Sequence, residues 1–337
     1  MKAVYQKNFP NSDGGVSLRH NTRKNSENIG VQRGKLFLTA LFAIGILMIL
    51  TIPLIGIVTS ADLLGQNTTV ISRVNITNSP PFIIAFDIDD PVDLTPNATT
   101  LVYCNVTARD YNGWADIVTV NATFYDAVLS SLEATNHPRT HYTNETCAAG
   151  TVLDANTREF ICSFEVEYYA NAGLWNCTAI VEDTFNISDS GTNSTTVNEL
   201  LAIITPEMID YGDIPVLDVS SNVIANVTNV GNRNINLTLY GYNNTVSDGL
   251  AMGCEQGNIT FQNQRWSLID EIWDDMTILD NDAPQIVPSL TIFQRNNTID
   301  ETINQTNWKL FVEQGPGGTP FGVCTGQIIF GAILATG

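Results

Sequence analysis

The chain has 337 residues and a formal net charge of −20, with 35 acidic residues against 15 basic ones. The charge is unevenly placed: residues 1–35 carry seven basic and two acidic side chains, while everything after residue 58 carries eight basic and thirty-three acidic ones, a net of −25. A surface so negative repels phosphate backbones, which excludes nucleic acid as a partner of the large part.

Residues 1–35 are polar, basic and rich in Asn, Ser and Gly, so a disordered cytoplasmic tail is expected. Residues 36–58 read LFLTALFAIGILMILTIPLIGIV and contain no charge. As a transmembrane helix they reach roughly 35 Å, enough to cross the lipid bilayer with some tilt. Pro53 kinks such a helix without forbidding it. The basic flank precedes the span, so the positive-inside rule puts the N-terminus in the cytoplasm and the C-terminus outside. The rival is a cleaved signal peptide ending near Thr59-Ser60-Ala61, although its n-region and apolar stretch are both longer than signal peptides use. Either reading makes the remainder extracellular.

Sequons and cysteines agree with that compartment. Asn-x-Ser/Thr occurs at Asn67, Asn75, Asn97, Asn105, Asn121, Asn144, Asn176, Asn186, Asn193, Asn226, Asn236, Asn243, Asn258, Asn296 and Asn304, fifteen sites that all follow the apolar span. Asn/Thr-rich loops generate some sequons by chance, but the tail has none. In VTVNATF, Val118, Val120, Ala122 and Phe124 alternate with Thr119, Asn121 and Thr123, and NVIANVTNV and INLTLYGY read alike. A period of two puts Asn121, Asn226 and Asn236 on the solvent face of strands. The six cysteines, Cys104, Cys147, Cys162, Cys177, Cys254 and Cys324, allow fifteen disulfide connectivities. The expected set is Cys104–Cys177 around Cys147–Cys162, with Cys254–Cys324. No CxxC pair is present to suggest structural zinc.

Residues 59–81, ending in Ser79-Pro80-Pro81, read as a glycosylated stalk. Residues 82–198 read as a first β-sandwich, with strands at 82–86, 100–108, 116–124, 159–168 and 174–181, and 187–198 as a polar hinge or final edge strand. Residues 199–337 read as a second, with strands at 200–204, 219–229, 234–241, 258–261, 285–293, 308–312 and 326–334. Within it, 267–280 forms a short helix or an edge strand with a loop. The closing QIIFGAILA is too short for a second span and is expected to be a core strand. Many short alternating strands, with no 3.6-period stripe beyond the span, make the fold all-β.

Two patterns carry a resemblance. LVYCNVTARD around Cys104 and AGLWNCTAIVED around Cys177 are similar to the B and F strands of immunoglobulin-like domains. The resemblance implies a bridge between these strands and a core Trp, for which Trp114 stands about ten residues after Cys104. The family's usual Tyr is replaced by Trp175, which puts the tyrosine-corner hydrogen bond in question. The Asn229-Val230-Gly231-Asn232 turn before INLTLYG, with the closing GVCTGQIIFGAI, resembles immunoglobulin-like modules of archaeal cell-surface proteins. That implies two tandem sandwiches and says almost nothing about activity.

Catalytic signals are missing: there is no P-loop, GxGxxG or HExxH, so no enzyme is expected. His137 and His141 flank Pro138, which argues against a helical metal pair. The run FDIDDPVD offers Asp87, Asp89, Asp90 and Asp93 as oxygen ligands for calcium, against the plainer reading of a solvated acidic face. IDEIWDDMTILDND, with Asp270, Glu271, Asp274, Asp275, Asp280 and Asp282, is a second such cluster. The expected function is a structural or adhesive surface protein contacting the cell envelope, other cells or a polysaccharide. The alternative is a ligand- or carbohydrate-binding accessory module using exposed Trp266 and Trp273. A filament subunit is disfavoured by the long tail before the apolar segment. Any binding surface is expected in the sequon-free stretch 266–294.

Overall fold

The computed structural model describes residues 69–314 and 318–335. The expected tail, membrane span and first part of the stalk, with Asn67, lie outside the described residues. Among the described residues no helix is long and apolar enough to cross a membrane. By contacts the chain divides at Ile71/Ser72, and every described strand lies in Ser72–Gly337.

Eight strands build the N-terminal sheet pair: β1 (Phe82–Ile88), β2 (Thr99–Arg109), β3 (Ile117–Asp126), β4 (His141–Asn144), β5 (Ala148–Val152), β6 (Thr157–Glu167), β7 (Gly173–Asp183) and β8 (Ser188–Val197). They form two antiparallel sheets, ordered β1-β2-β6-β5 and β4-β3-β7-β8. Alternation creates the shared core. On β2, Val102, Cys104, Val106 and Ala108 are buried while Leu101 and Tyr103 face out. They meet Phe160, Phe164 and Val166 of β6, Val120, Ala122 and Phe124 of β3, and Trp175, Ala179 and Val181 of β7. The segment 187–198 is an edge strand, and the short strands β4 and β5 were not expected.

Cys104–Cys177 ties β2 to β7 across the core, and Cys147–Cys162 ties the chain ahead of β5 to β6. The core tryptophan is Trp175, fully buried and stacked on Phe124 at 4.7 Å between ring centroids. Its Nε1 donates to the Asn171 carbonyl oxygen at 2.8 Å, tying the start of β7 to the turn before it. Trp114 is not in the core. Strand β2 runs to Arg109, so Trp114 falls past its end, in a 3-10 turn at Trp114–Asp116 with the Arg158 guanidinium 4.7 Å from its ring. Val118 also departs from expectation. A bulge between Ile117 and Thr119 turns Ile117 inward and leaves Val118 56% exposed.

The C-terminal strands are β9 (Ile203–Ile204), β10 (Val223–Asn229), β11 (Ile235–Tyr242), β12 (Leu250–Gln256), β13 (Asn258–Thr260), β14 (Gln264–Ser267), β15 (Thr277–Ile278), β16 (Gln285–Ile292), β17 (Ile303–Leu310), β18 (Phe321–Thr325) and β19 (Gln327–Leu334). The sheet β15-β14-β17-β10-β9 packs on β16-β11-β19 through Val227, Leu237, Trp266, Val287, Ile292 and Trp308. A third ribbon, β13-β12-β18, is closed by Cys254–Cys324, which face each other in register. The strand expected at 308–312 lies earlier, at Ile303–Leu310, and 267–280 resolves into the end of β14, a 3-10 turn at Trp273–Asp275, and β15.

The two sets of sheets meet at a packed joint. Tyr168, Tyr169 and Val230 are buried there with Leu200 and Ala202 against them. The turn Asn229–Asn232 docks on the connecting chain: Val230 N donates to Ala202 O at 3.0 Å, and Leu200 N donates to Asn232 Oδ1 at 2.7 Å. Glycine is required at 231, because a Cβ there would collide with the Leu200 carbonyl oxygen.

Candidate functional site

Asparagine is sorted by burial. The buried asparagines are Asn171, Asn229, Asn232, Asn263, Asn281 and Asn307, and none begins a sequon. None of the described sequon asparagines, from Asn75 to Asn304, is buried. Buried asparagine has to spend its amide inside the protein. Asn229 does so fully: its Nδ2 donates to the carbonyls of Arg233, Ile292 and Phe293, and its Oδ1 accepts from Gly231 N. Asn75, Asn97, Asn186, Asn226, Asn258 and Asn296 are exposed; the other described sequon asparagines are half-buried, and two of them, Asn144 and Asn193, have Nδ2 bonded to Ser163 O at 3.0 Å and Phe86 O at 3.3 Å.

A groove of about 570 Å³ lies beside β4 and β6, with His137, Tyr142, Glu145, Glu165 and Glu167 in its lining. Its floor is held by Tyr142. The hydroxyl donates to Pro138 O and accepts from Glu167 N at 3.0 Å, and burial pushes its pKa up. The two histidines do not converge on a metal. His137 Nδ1 accepts from Arg139 N at 3.2 Å, and His141 is buried with its Nδ1 3.2 Å from Asn136 Oδ1. The imidazoles bond Arg139 N, Asn136 Oδ1 and Leu132 O, and the carboxylates in the lining offer acceptors to a polar ligand.

The sequon-free stretch 266–294 carries another surface. Ile269, Ile272, Ile278, Ile286 and Phe293 are all exposed there, on two β-strand edges and their loops. Trp266 is buried in the core. Trp273 is half-buried, with Arg265 lying 4.5 Å from its ring centroid. Neither indole is an open platform for a sugar ring.

Asp87, Asp89 and Asp90 do not gather into one site. Asp89 Oδ2 accepts from Tyr103 N at 2.8 Å, Asp90 Oδ1 accepts from Thr195 Oγ1 at 2.9 Å, and Asp87 is exposed on β1. A run of carboxylates along an extended chain splays apart, and these pin loops to neighbouring strands.

No protein-family model matches the chain, and no curated protein sequence matches it. Solved structures are similar at low identity. The chaperone–tip adhesin complex of CFA/I fimbriae is 11% identical over 76% of this chain and 84% of that one, with a TM-score of 0.28. The CsuC–CsuE chaperone–tip subunit complex of Acinetobacter baumannii is 8% identical over 74% and 99%, at 0.37. A promiscuous carbohydrate-binding module of the β-sandwich superfamily is 12% identical over 76% and 97%, at 0.23. Scores this low decide neither fold nor function, which rest on the strands and side chains above.

Proposed function

We propose that this chain is a single-pass, N-glycosylated cell-surface protein whose tandem immunoglobulin-like sandwiches, residues 82–198 and 199–337, serve a structural or adhesive role without catalysis. The observation that carries it is the sorting of asparagine: no described sequon asparagine is buried, and the buried asparagines do not begin sequons. The order β1-β2-β6-β5 over β4-β3-β7-β8, bridged from β2 to β7, matches the ABED and C′CFG sheets of immunoglobulin-like domains and supports that finer reading for the first sandwich. All six cysteines are paired, as an oxidising exterior favours. Contacts to envelope, cell or polysaccharide fall to the exposed apolar residues of 266–294, with the acidic groove as the surface for the alternative, ligand-binding role. Mass spectrometry of the native protein, before and after deglycosylation and reduction, tests it. Several occupied sequons, a retained residue 36–58 peptide and three bridges are expected; an unglycosylated chain in the cytoplasm overturns it.

A further inference from the structure

Three carboxylates converge at the end of the N-terminal sheet pair where the chain enters it. Asp110 follows β2, Asp116 precedes β3, and Asp183 ends β7. One oxygen from each lies within 4.8 Å of the others. That spacing suits a single ion with ligands at about 2.3–2.6 Å, since opposite ligands then stand just under 5 Å apart. No described salt bridge involves any of the three.

The cluster is not a solvated acidic face. Asp110 and Asp183 are fully buried and Asp116 is half-buried. Two of its oxygens, Asp110 Oδ2 and Asp116 Oδ2, are buried without a hydrogen-bond partner. A third orphan is adjacent: Asn78 donates its Nδ2 to Asp183 Oδ2 at 2.6 Å, while its own Oδ1 is buried and unpartnered. Buried oxygens left without partners are costly, and more so among close carboxylates, unless something positive sits with them. The remaining oxygens are held in place. Asp110 Oδ1 accepts from Asn112 N at 2.7 Å, Asp183 Oδ1 from Phe185 N and Ile187 N at 2.8 and 2.9 Å, and Asp116 Oδ1 from Thr184 Oγ1.

We infer that Asp110, Asp116 and Asp183, with Asn78 as an amide ligand, form a calcium site that fastens the incoming chain to the first sandwich. The donors are hard oxygens of mixed carboxylate and amide type, drawn from three segments, which suits the large and geometrically tolerant coordination of calcium better than magnesium's strict octahedron. Ser79 N also donates to Asn112 Oδ1 at 2.7 Å, tying the incoming chain to the loop that carries Asp110 and Asp116.

The test uses the full chain purified in detergent, melted in millimolar calcium and in EGTA. Calcium at ten times its Kd raises Tm by about 3–6 °C. Asp110→Asn keeps the shape but relieves carboxylate repulsion, so its Tm in EGTA is equal to or above wild type while the calcium shift vanishes. A merely structural aspartate would lose stability in both buffers. Asp116→Asn, less buried, is the second variant, and terbium luminescence sensitised through Trp114 reads binding directly, with calcium chasing the signal. Equal wild-type midpoints with and without calcium overturn the site, as does a calcium shift that survives both substitutions or is reproduced by magnesium.

Discussion

Arg139 and Gln294 meet across the joint between the two sets of sheets. The guanidinium Nη2 donates to Gln294 Oε1 at 2.9 Å, Nη1 reaches Asn296 Oδ1 at 3.1 Å, and Nε reaches Asn171 Oδ1 at 3.1 Å. Gln294 completes the circuit by donating from Nε2 to Tyr169 O at 2.8 Å. Arg139→Ala breaks three charge-assisted bonds and is expected to cost about 1–3 kcal/mol. Hydrogen exchange checks it: amides of residues 168–171 and 230–232 should exchange faster, while those of β2 and β6 stay protected.

Trp175 is the second point of failure. Trp175→Phe deletes both part of a stacked core ring and the donor to Asn171 O, leaving that carbonyl short of a partner. A loss of about 2–4 kcal/mol is expected in denaturant melts. Trp114→Phe, lying at the sandwich end, should cost much less.

Cysteine register predicts a specific misfold. Cys104 and Cys162 face each other on β2 and β6, both fully buried, although each bonds elsewhere. In Cys177→Ser, the liberated Cys104 thiolate stands beside the Cys147–Cys162 bond and can attack Cys162, releasing Cys147 as the free thiol. Non-reducing peptide maps of that variant should show a Cys104–Cys162 bridge alongside the native one. Cys324→Ser should leave the first sandwich's two bridges intact.

Sequon use should follow the amide. Asn75, Asn97, Asn186, Asn226, Asn258 and Asn296 are exposed and should be the most fully occupied, whereas Asn144 and Asn193 spend Nδ2 on backbone carbonyls and should lag. Site-resolved glycopeptide mass spectrometry reads the order.

Acid should loosen the loop after β11. Burial acts to raise the Asp248 pKa, but backbone N–H groups of Asn244, Leu250 and Thr245 and the Asn281 amide outweigh it and bring the value to about 2. A carboxyl depressed on folding stabilises the protein above its unfolded pKa of about 4 and loses that contribution as pH falls toward 2. Asp248→Asn should be less stable at pH 6 and show a flatter pH dependence between about 4 and 2.

The main strands were legible because apolar residues alternate on β2, β6, β7, β10 and β11, where one face packs on a core. Strands β4, β5, β14 and β18 escaped notice because they are four or five residues long, and β12 because LAMGCEQ does not alternate. Val118 was misplaced because a bulge resets parity without any sequence mark, and Trp114 because counting from Cys104 ignores where β2 stops. The acidic site was hidden for a different reason. Asp87, Asp89 and Asp90 are close in sequence and diverge in space, while Asp110, Asp116 and Asp183 are scattered along the chain and brought together only when β3 pairs with β7.

The joint and the incoming chain sit at opposite ends of the first sandwich. Phe82, first in β1, pairs with Arg109, while Val197, last in β8, pairs with Gly173 beside the joint. The two ends are separated by the ten residues of β3, about 33 Å. A tug between the incoming and outgoing chain therefore runs lengthwise along β1 and β8. It loads the rungs of the β1–β2 and β7–β8 ladders together, in shear, instead of peeling them one at a time. Built this way, the first sandwich resists a pull on its two ends with all its rungs at once.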